Sequence, residues 1–173
     1  MTAAARRGMK LFAGEKAECS HCHGSFIFTD QATYLGSAAE KPLFHNTGLY
    51  NIGGTGAFPT GNQGVFDVTG RKQDTGRFKA PSLRNVELTA PYMHDGSIPT
   101  LAAAVAHYVE GGRLITEGPF AGDGRASPYK DPLVSAIRLN AREQADIVAF
   151  LKSLTDRSVT KDRRFSDPFV KRR

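Results

Sequence analysis

Residues 19–23 read Cys19-Ser20-His21-Cys22-His23, the C-x-x-C-H spacing that is typical of c-type haem attachment. These two cysteines are the only ones in the 173-residue chain. Two thiols one turn apart on a short helix can each form a thioether with one vinyl group of the same porphyrin. The next residue then lies under the iron, so the spacing predicts Cys19 and Cys22 as tethers and His23 as the proximal ligand.

The cysteine pair fits three alternative roles less well. A redox-active C-x-x-C pair is expected at a strand-to-helix turn of a βαβ unit, and the sequence predicts no such unit. A zinc finger needs a second pair of ligands, whereas His45 is isolated along the sequence. A single structural disulfide is the third alternative, but the three-residue spacing disfavours its geometry. Haem c is therefore the favoured interpretation.

The composition is typical of one globular domain that is large enough to bury a core around a cofactor. The chain is 40% hydrophobic and 23% charged, and its 18 glycines predict much irregular structure. No apolar run reaches the length of a membrane-spanning helix, so no membrane span is expected.

The net charge of +6 is concentrated near the C-terminus. Residues 156–173 hold seven Lys and Arg against three Asp, which places +4 of the +6 in this segment. We predict a haem domain over residues 1–156 and a solvated basic tail over residues 157–173, with docking of an acidic redox partner as the alternative role of the tail. Nucleic-acid binding is not expected, because no aromatic residues are interleaved with the basic ones in the pattern of a nucleic-acid-binding fold.

The apolar pattern predicts a mainly α protein. One helix is predicted over residues 3–17, directly before the haem motif. A second is predicted over residues 100–110, because Leu101, Val105 and Tyr108 share one face and the following glycine pair ends the helix.

A third helix is predicted after Asn140, which forms an N-x-x-E capping box with Glu143. Its apolar face contains Ile147, Val148, Phe150, Leu151 and Leu154. Short extended runs are predicted over 26–28 and 43–52, and Gly-rich loops over 53–76 and from the second helix to the third. The expected fold is a cytochrome c-like haem domain with long Gly-rich loops and a minor β-hairpin.

The residue on the other face of the iron would decide the function. The candidates are Met9, His45, Met93, His94, His107 and Tyr108. Met93 lies in a rigid polar loop, and its thioether would raise the reduction potential as in an electron carrier. Tyr108 shares the apolar stripe of its helix, whereas His107 points about 100° away and is expected to be solvated or satisfied locally.

Two further stretches carry a family resemblance. They read GRFKAPSLRNV over 76–86 and LTAPYMHDG over 88–96. Together with the haem motif, they resemble the C-terminal haem domain of bacterial di-haem cytochrome c peroxidases, and are most similar to the branch represented by the methylamine utilisation protein MauG. The resemblance extends from about residue 7 to residue 155.

The resemblance implies further site residues. In that family the sixth iron ligand lies fourteen residues after the histidine of the H-D-G loop, which is the position of Tyr108. Peroxidases of the family usually carry Met there and the MauG branch carries Tyr, so the resemblance favours Tyr108 over Met93. It also implies a calcium ion held partly by the backbone carbonyls of Thr89 and Pro91.

Two loop cations, Lys79 and Arg84, are candidates to neutralise the haem propionates through charge-assisted hydrogen bonds. Solvated cations on a loop are the equal alternative. Family members carry two C-x-x-C-H motifs, whereas this chain has one and no Trp. We therefore expect an electron-transfer domain with one haem, whose N-terminal peroxidatic partner domain is absent from this chain.

Two functions remain open from the sequence. The domain would relay electrons or oxidising equivalents to or from a partner haem of a peroxide-dependent oxidoreductase, or it would act alone as a mono-haem cytochrome c carrier. Because bacterial haem c is attached outside the cytoplasmic membrane, a periplasmic location is expected. Residues 1–18 show no apolar signal segment, so a leader is expected to have been removed or to lie upstream in a longer chain.

Overall fold

The computed structural model describes residues 1–35 and 43–169. Within these ranges the α-helices are Ala3–Phe12 (α1), Cys19–Cys22 (α2), Phe66–Thr69 (α3), Leu101–Glu110 (α4) and Ala141–Lys152 (α5). An antiparallel hairpin pairs Leu114–Ile115 (β1) with Gly122–Asp123 (β2). The predicted mainly α fold with a minor hairpin is therefore confirmed.

Long loops connect the helices and contain short 3₁₀ turns. These turns lie at Lys72–Asp74, Val86–Leu88, Gly124–Ala126, Pro132–Ser135, Arg157–Thr160 and Arg163–Phe165. The predicted Gly-rich loop over 53–76 thus contains α3 and one 3₁₀ turn. Of the predicted basic tail, residues 170–173 lie outside the described residues.

No helix within residues 1–35 and 43–169 has both the length and the apolar character that crossing a lipid bilayer would take.

Helix α1 ends five residues earlier than predicted. The Thr2 hydroxyl caps its start by accepting a hydrogen bond from the Ala5 amide at 3.1 Å. Beyond Phe12 the chain turns through Gly14, a residue with low helix propensity. The turn brings Ala17 into the core, where it is fully buried. A continued helix would not place Ala17 there.

The closest helix contact joins α1 to α5. A Cβ atom built on Gly8 would lie 1.9 Å from the carbonyl oxygen of Asp146, so only glycine permits this approach. The neighbouring Arg7 guanidinium donates two hydrogen bonds to the buried Asp146 carboxylate, at 2.7 and 2.6 Å. This bidentate ion pair adds a contact of specific geometry between the two helices where they cross.

Helix α5 begins as predicted. The Asn140 side chain accepts from the Glu143 amide at 3.0 Å, and the Glu143 carboxylate accepts from the Asn140 amide at 2.9 Å. The capping box is therefore confirmed. The buried face of α5 contains Ile147, Phe150 and Leu151.

Two hydrophobic clusters form the interior, and α4 lies between them. The buried members of the first cluster are Phe12, Ala17, Val86, Leu101, Val105, Ile137, Leu139, Ile147, Phe150 and Leu151. Those of the second cluster are Leu49, Tyr50, Phe58, Ile98 and Ala104. Helix α4 contributes to both, because its two sides face different clusters.

The predicted extended run over 26–28 is wrong, and the one over 43–52 is reduced to isolated β-bridges. Residues 26–28 form a turn in which Phe28 has a positive φ of 59°. The turn places the Phe28 ring 5.9 Å from that of Phe12 and 6.0 Å from that of Phe150, so tertiary packing overrides the local β preference. Residues 43–52 form isolated bridges rather than a strand, and the hairpin lies at residues 114–123 instead.

Candidate haem site

The C-x-x-C-H motif forms the short helix α2. Glu18, in a left-handed conformation, precedes the helix, and its carboxylate pairs with Nδ1 of His21 at 2.8 Å. This contact draws His21 to the outside of the motif. The backbone amide of His23 donates to the Cys19 carbonyl at 2.9 Å, and both cysteines are free thiols. The structure therefore contains no disulfide between them.

The His23 ring is oriented as a metal ligand requires. Its Nδ1 lies 3.2 Å from the carbonyl oxygen of Phe28 and 3.1 Å from that of Pro81. Both oxygens are acceptors, so Nδ1 carries the proton and Nε2 keeps its lone pair. Burial lowers the pKa of His23, which keeps the ring neutral. A neutral imidazole with a free Nε2 is the form that binds iron.

The distal candidate Tyr108 lies near the two thiols. Its ring packs on the first cluster together with Cys19. Burial raises the pKa of the Tyr108 phenol, with smaller contributions from Cys22 and Cys19. Burial also raises the pKa of Cys19 to about 12, and the Cys19 thiol donates to the Ala17 carbonyl at 3.2 Å.

The neighbouring His107 is buried, which corrects the expectation that it is solvated or satisfied locally. Only 4% of His107 is exposed, and its Nε2 lies 2.9 Å from the carbonyl oxygen of Thr47, a residue 60 positions earlier. Burial lowers the pKa of His107 to about 4. The helix lies between two clusters, so the side away from the first cluster is covered as well.

The structure places Met93 apart from Tyr108. Met93 packs on the second cluster, which contains Tyr50 and Phe58, in a backbone conformation with φ of 70°. Tyr108 packs on the first cluster with Cys19. The two candidate distal ligands therefore occupy different parts of the interior.

The remaining predicted site residues lie on exposed loops. Thr89 and Pro91 are both exposed, and the Thr89 hydroxyl donates to the Val86 carbonyl at 3.0 Å. Lys79 is exposed. The Arg84 guanidinium donates to the Phe26 carbonyl at 2.5 Å, and it also lies over the Phe28 ring. Arg84 thus holds the turn that follows the haem motif.

Three charged residues beside Cys22 were not singled out together by the sequence. Nδ1 of His45 lies 2.7 Å from an Asp131 oxygen, and its Nε2 lies 2.7 Å from an Asp30 oxygen. The side chains of His45, Asp30 and Asp131 are 12%, 9% and 19% exposed. We call these three residues the His45 cluster. The hydrogen bond with Asp131, followed by those with Cys22 and Asp30, raises the pKa of His45 to about 11.

The His45 cluster ties three chain segments together around Cys22. The Asp30 amide donates to the Cys22 carbonyl at 2.9 Å, and His45 exchanges two backbone hydrogen bonds with Phe78. The Asp131 amide donates to the Asn46 carbonyl at 2.8 Å. No local spacing reveals the cluster, because its contacts join residues 15 and 86 positions apart.

These donors fit haem c. The motif supplies two thiols for thioether bonds, and His23 supplies an oriented imidazole nitrogen. The phenol of Tyr108 lies on the core side of the same site. The arrangement can hold a porphyrin covalently and supply at least one axial ligand to its iron.

Sequence comparisons find related proteins, although no family model matches the chain. The chain is 34% identical over 167 residues to a cytochrome-c peroxidase of Denitromonas iodatirespirans, which covers 90% of this chain and 41% of that protein. It is also 34% identical over 152 residues to the methylamine utilization protein MauG of Methylorubrum extorquens, covering 87% of this chain and 34% of that protein. The chain thus spans less than half of these relatives.

Structural comparisons agree. The crystal structure of a MauG-like protein associated with microbial copper homeostasis is 54% identical, with a TM-score of 0.91, and the match covers 98% of this chain and 52% of that one. The diheme peroxidase BthA from Burkholderia thailandensis, at 20% identity and a TM-score of 0.61, shares the fold. This partial coverage fits one haem domain of two, as expected for a C-terminal haem domain, and the chain belongs to the bacterial di-haem cytochrome c peroxidase and MauG family.

Proposed function

We propose that the chain is a periplasmic electron-transfer domain with one haem c, which relays electrons or oxidising equivalents to or from a partner peroxidatic haem. The observation that carries this proposal is the His23 ring, whose Nδ1 is held by two backbone carbonyls directly after the cysteine pair. When bound, haem supplies reversible one-electron iron chemistry. The chain's own residues tether it and fix the orientation of its proximal ligand.

Covalent attachment is the first test of this proposal. We expect the double variant Cys19→Ser and Cys22→Ser, expressed with the haem maturation machinery, to lose all haem staining on a denaturing gel. Only thioether-bound haem survives denaturation, and serine cannot form that bond. The matched control is His21→Ala, which changes an outward-facing residue of the same motif and keeps both thiols. Equal staining of the double variant would exclude haem c.

We propose Tyr108 rather than Met93 as the distal ligand. Support comes from its position, because Tyr108 packs with Cys19 on the first cluster whereas Met93 packs on the second. Metal ligands bind in their deprotonated form, so Tyr108 would bind as a phenolate. A hard anionic oxygen favours oxidised iron and lowers the reduction potential relative to a thioether sulfur.

The midpoint potential of the haem-loaded chain tests this assignment. We expect Tyr108→Phe to raise the potential, on the order of 100 mV, and to change the oxidised spectrum, because an anionic ligand is lost. The matched variant Met93→Ala should leave both properties close to those of the unmodified chain. A far-red sulfur-to-iron band that disappears in Met93→Ala but persists in Tyr108→Phe would identify Met93 as the ligand instead.

Calcium at the loop before the H-D-G sequence forms a further part of the proposal. The exposed positions of Thr89 and Pro91 leave the loop accessible to a partner domain, and carbonyl oxygens suit calcium. The remaining ligands would come from that domain. Lys79 and Arg84 are proposed near the propionates, with Arg84 also bonded to Phe26.

The presence of a partner haem domain would distinguish between the two candidate functions, which are one domain of a di-haem enzyme and a stand-alone electron carrier. We propose that the complete protein is a peroxide-dependent oxidoreductase, as the names of the peroxidase relatives suggest, with a role in copper homeostasis like that of the MauG-like relative. In-frame upstream DNA encoding a second C-x-x-C-H would support it. A stop codon directly upstream, together with reversible one-electron chemistry of the isolated chain, would support the carrier.

A further inference from the structure

A tyrosine in the second cluster is hydrogen-bonded to a carboxylate. Tyr50 is only 7% exposed, and its hydroxyl donates to Oδ2 of Asp95 at 2.7 Å. Asp95 itself is exposed to solvent, and its other oxygen accepts from the Ser97 amide at 3.0 Å. The phenol is therefore buried while its proton acceptor is in contact with water.

The charges around this pair define the direction of proton transfer. Burial raises the pKa of Tyr50, so the phenol carries its proton. Burial opposes ionisation of Asp95, but hydrogen bonds from Tyr50 and Ser97 outweigh it and lower the pKa of Asp95. Asp95 is therefore a carboxylate that can accept the phenolic proton.

A guanidinium covers the Tyr50 ring. The Cζ atom of Arg113 lies 4.5 Å from the ring centroid, and its nitrogens donate to the Leu49 carbonyl at 3.2 Å and to the Ser97 hydroxyl at 2.7 Å. A cation at the ring face disfavours positive charge on the ring. Loss of an electron from Tyr50 must then be accompanied by loss of its proton.

Aromatic rings connect Tyr50 to the protein surface and to the interior. Ring centroids lie 5.8 Å apart between Tyr50 and Phe120, which is 42% exposed. In the other direction, the centroids are 5.4 Å apart between Tyr50 and Phe58 and 6.4 Å apart between Phe58 and Phe78. Phe78 also stacks on His94 at 3.8 Å.

Phe78, the inner residue of this row of rings, lies close in sequence to a residue that contacts the proposed haem ligand His23. Phe78 lies three residues before Pro81, whose carbonyl accepts the hydrogen bond from Nδ1 of His23. Four residues span at most about 14 Å. A path of packed rings therefore runs from Tyr50 through Phe58 to Phe78, and three further residues of backbone connect it to Pro81, which contacts the proposed proximal ligand.

We propose that Tyr50 is a redox-active tyrosine with Asp95 as its proton acceptor. Tyr50 gives one electron to a strong one-electron oxidant, of the class that the proposed peroxide-dependent protein would generate by reducing peroxide. Its O–H bond breaks, the proton moves to Oδ2 of Asp95, and a neutral phenoxyl radical remains. One electron from a donor at the Phe120 surface, with return of the proton from Asp95, restores the phenol. The inference rests on the proposed redox function of the domain.

Photochemical oxidation of the haem-loaded chain tests the proposal. The probe is a ruthenium(III) tris-bipyridyl complex generated by a light flash, and the readout is the electron paramagnetic resonance signal of a tyrosyl radical. The comparison is made in a Tyr34→Phe background, which removes a half-exposed tyrosine from the signal. We expect Tyr50→Phe to lose most of the radical signal, and the matched variant Tyr129→Phe to retain it.

The role of Asp95 has its own readout. Asp95→Asn should slow radical formation at least about tenfold and change the ratio of its rates in light and heavy water, because the neutral amide is a poor proton acceptor. Asp95→Glu should restore part of the rate. A radical signal undiminished in Tyr50→Phe, or an unchanged rate in Asp95→Asn, overturns the proposal. The absorbance of the haem reports separately whether it undergoes reversible one-electron chemistry. Failure to do so contradicts the proposed function of the domain rather than the role of Tyr50.

Discussion

Replacing His45 with leucine is expected to lower the free energy of unfolding by about 3–5 kcal/mol. The substitution removes the shared cation and leaves Asp30 and Asp131, which flank the ring on either side, as two largely buried carboxylates without it. Denaturant unfolding of the haem-loaded chain measures the effect. Adding Asp30→Asn and Asp131→Asn to the leucine variant should recover part of the loss, because the unpaired charges are then removed.

A second histidine provides the matched control. His21 pairs with Glu18 at the surface, where its side chain is 41% exposed, so His21→Leu should cost less than about 1 kcal/mol. If His45→Leu cost no more than His21→Leu, the His45 cluster would have no special role in stability.

The same cluster predicts how stability depends on pH. The groups facing His45 are Asp131, Asp30 and Cys22, and they raise its pKa from 6.5 to about 11, against the opposing effect of burial. A raised pKa means that the stabilisation is complete below 6.5 and is lost as the pH rises through about 11. In the haem-loaded chain Cys22 would be a thioether without this contribution, so the two carboxylates alone would raise the pKa of His45 and the loss would begin at a pH below about 11. This loss of folding stability at alkaline pH should be absent from the His45→Leu variant.

Replacing Gly8 with alanine is expected to cost about 3 kcal/mol of unfolding free energy, or more. The new Cβ atom would lie 1.9 Å from the Asp146 carbonyl oxygen, and backbone cannot rotate away as a side chain can. Helix propensity alone would favour alanine by about 1 kcal/mol, so the steric effect acts against an intrinsic gain. Thermal and denaturant unfolding both measure the change.

Gly14→Ala is the matched control for Gly8→Ala. A Cβ atom at Gly14 would meet the Lys10 carbonyl oxygen at 3.2 Å, which a small shift can relieve. Its effect should stay below about 1 kcal/mol. A stabilised Gly8→Ala variant would mean that α1 and α5 separate more easily than their contact suggests.

Features set by short sequence spacings were predictable. The haem motif, the capping box of α5 and the inward stripe of α4 each depend on residues at most seven positions apart. Their geometry follows from helical periodicity and side-chain chemistry alone. For the same reason the periodicity of α4 is sufficient to place Tyr108 on the core side of the helix.

Features created by long-range packing were not predictable. The burial of His107 depends on Thr47, and the His45 cluster depends on two carboxylates far along the chain. The turn at residues 26–28 follows from the packing of Phe28 against α1 and α5 rather than from its own β preference. A single sequence contains no signal for such long-range contacts.

The α1–α5 crossing also has a consequence for the order of events during biosynthesis. Arg7 and Asp146 are 139 positions apart, so the crossing cannot form until α5 has been synthesised. Until then, the segment bearing Cys19 and Cys22 lacks the packing of α1 against α5. Haem attached before that point would enter an open motif, and packing of the two helices would then close the core around it.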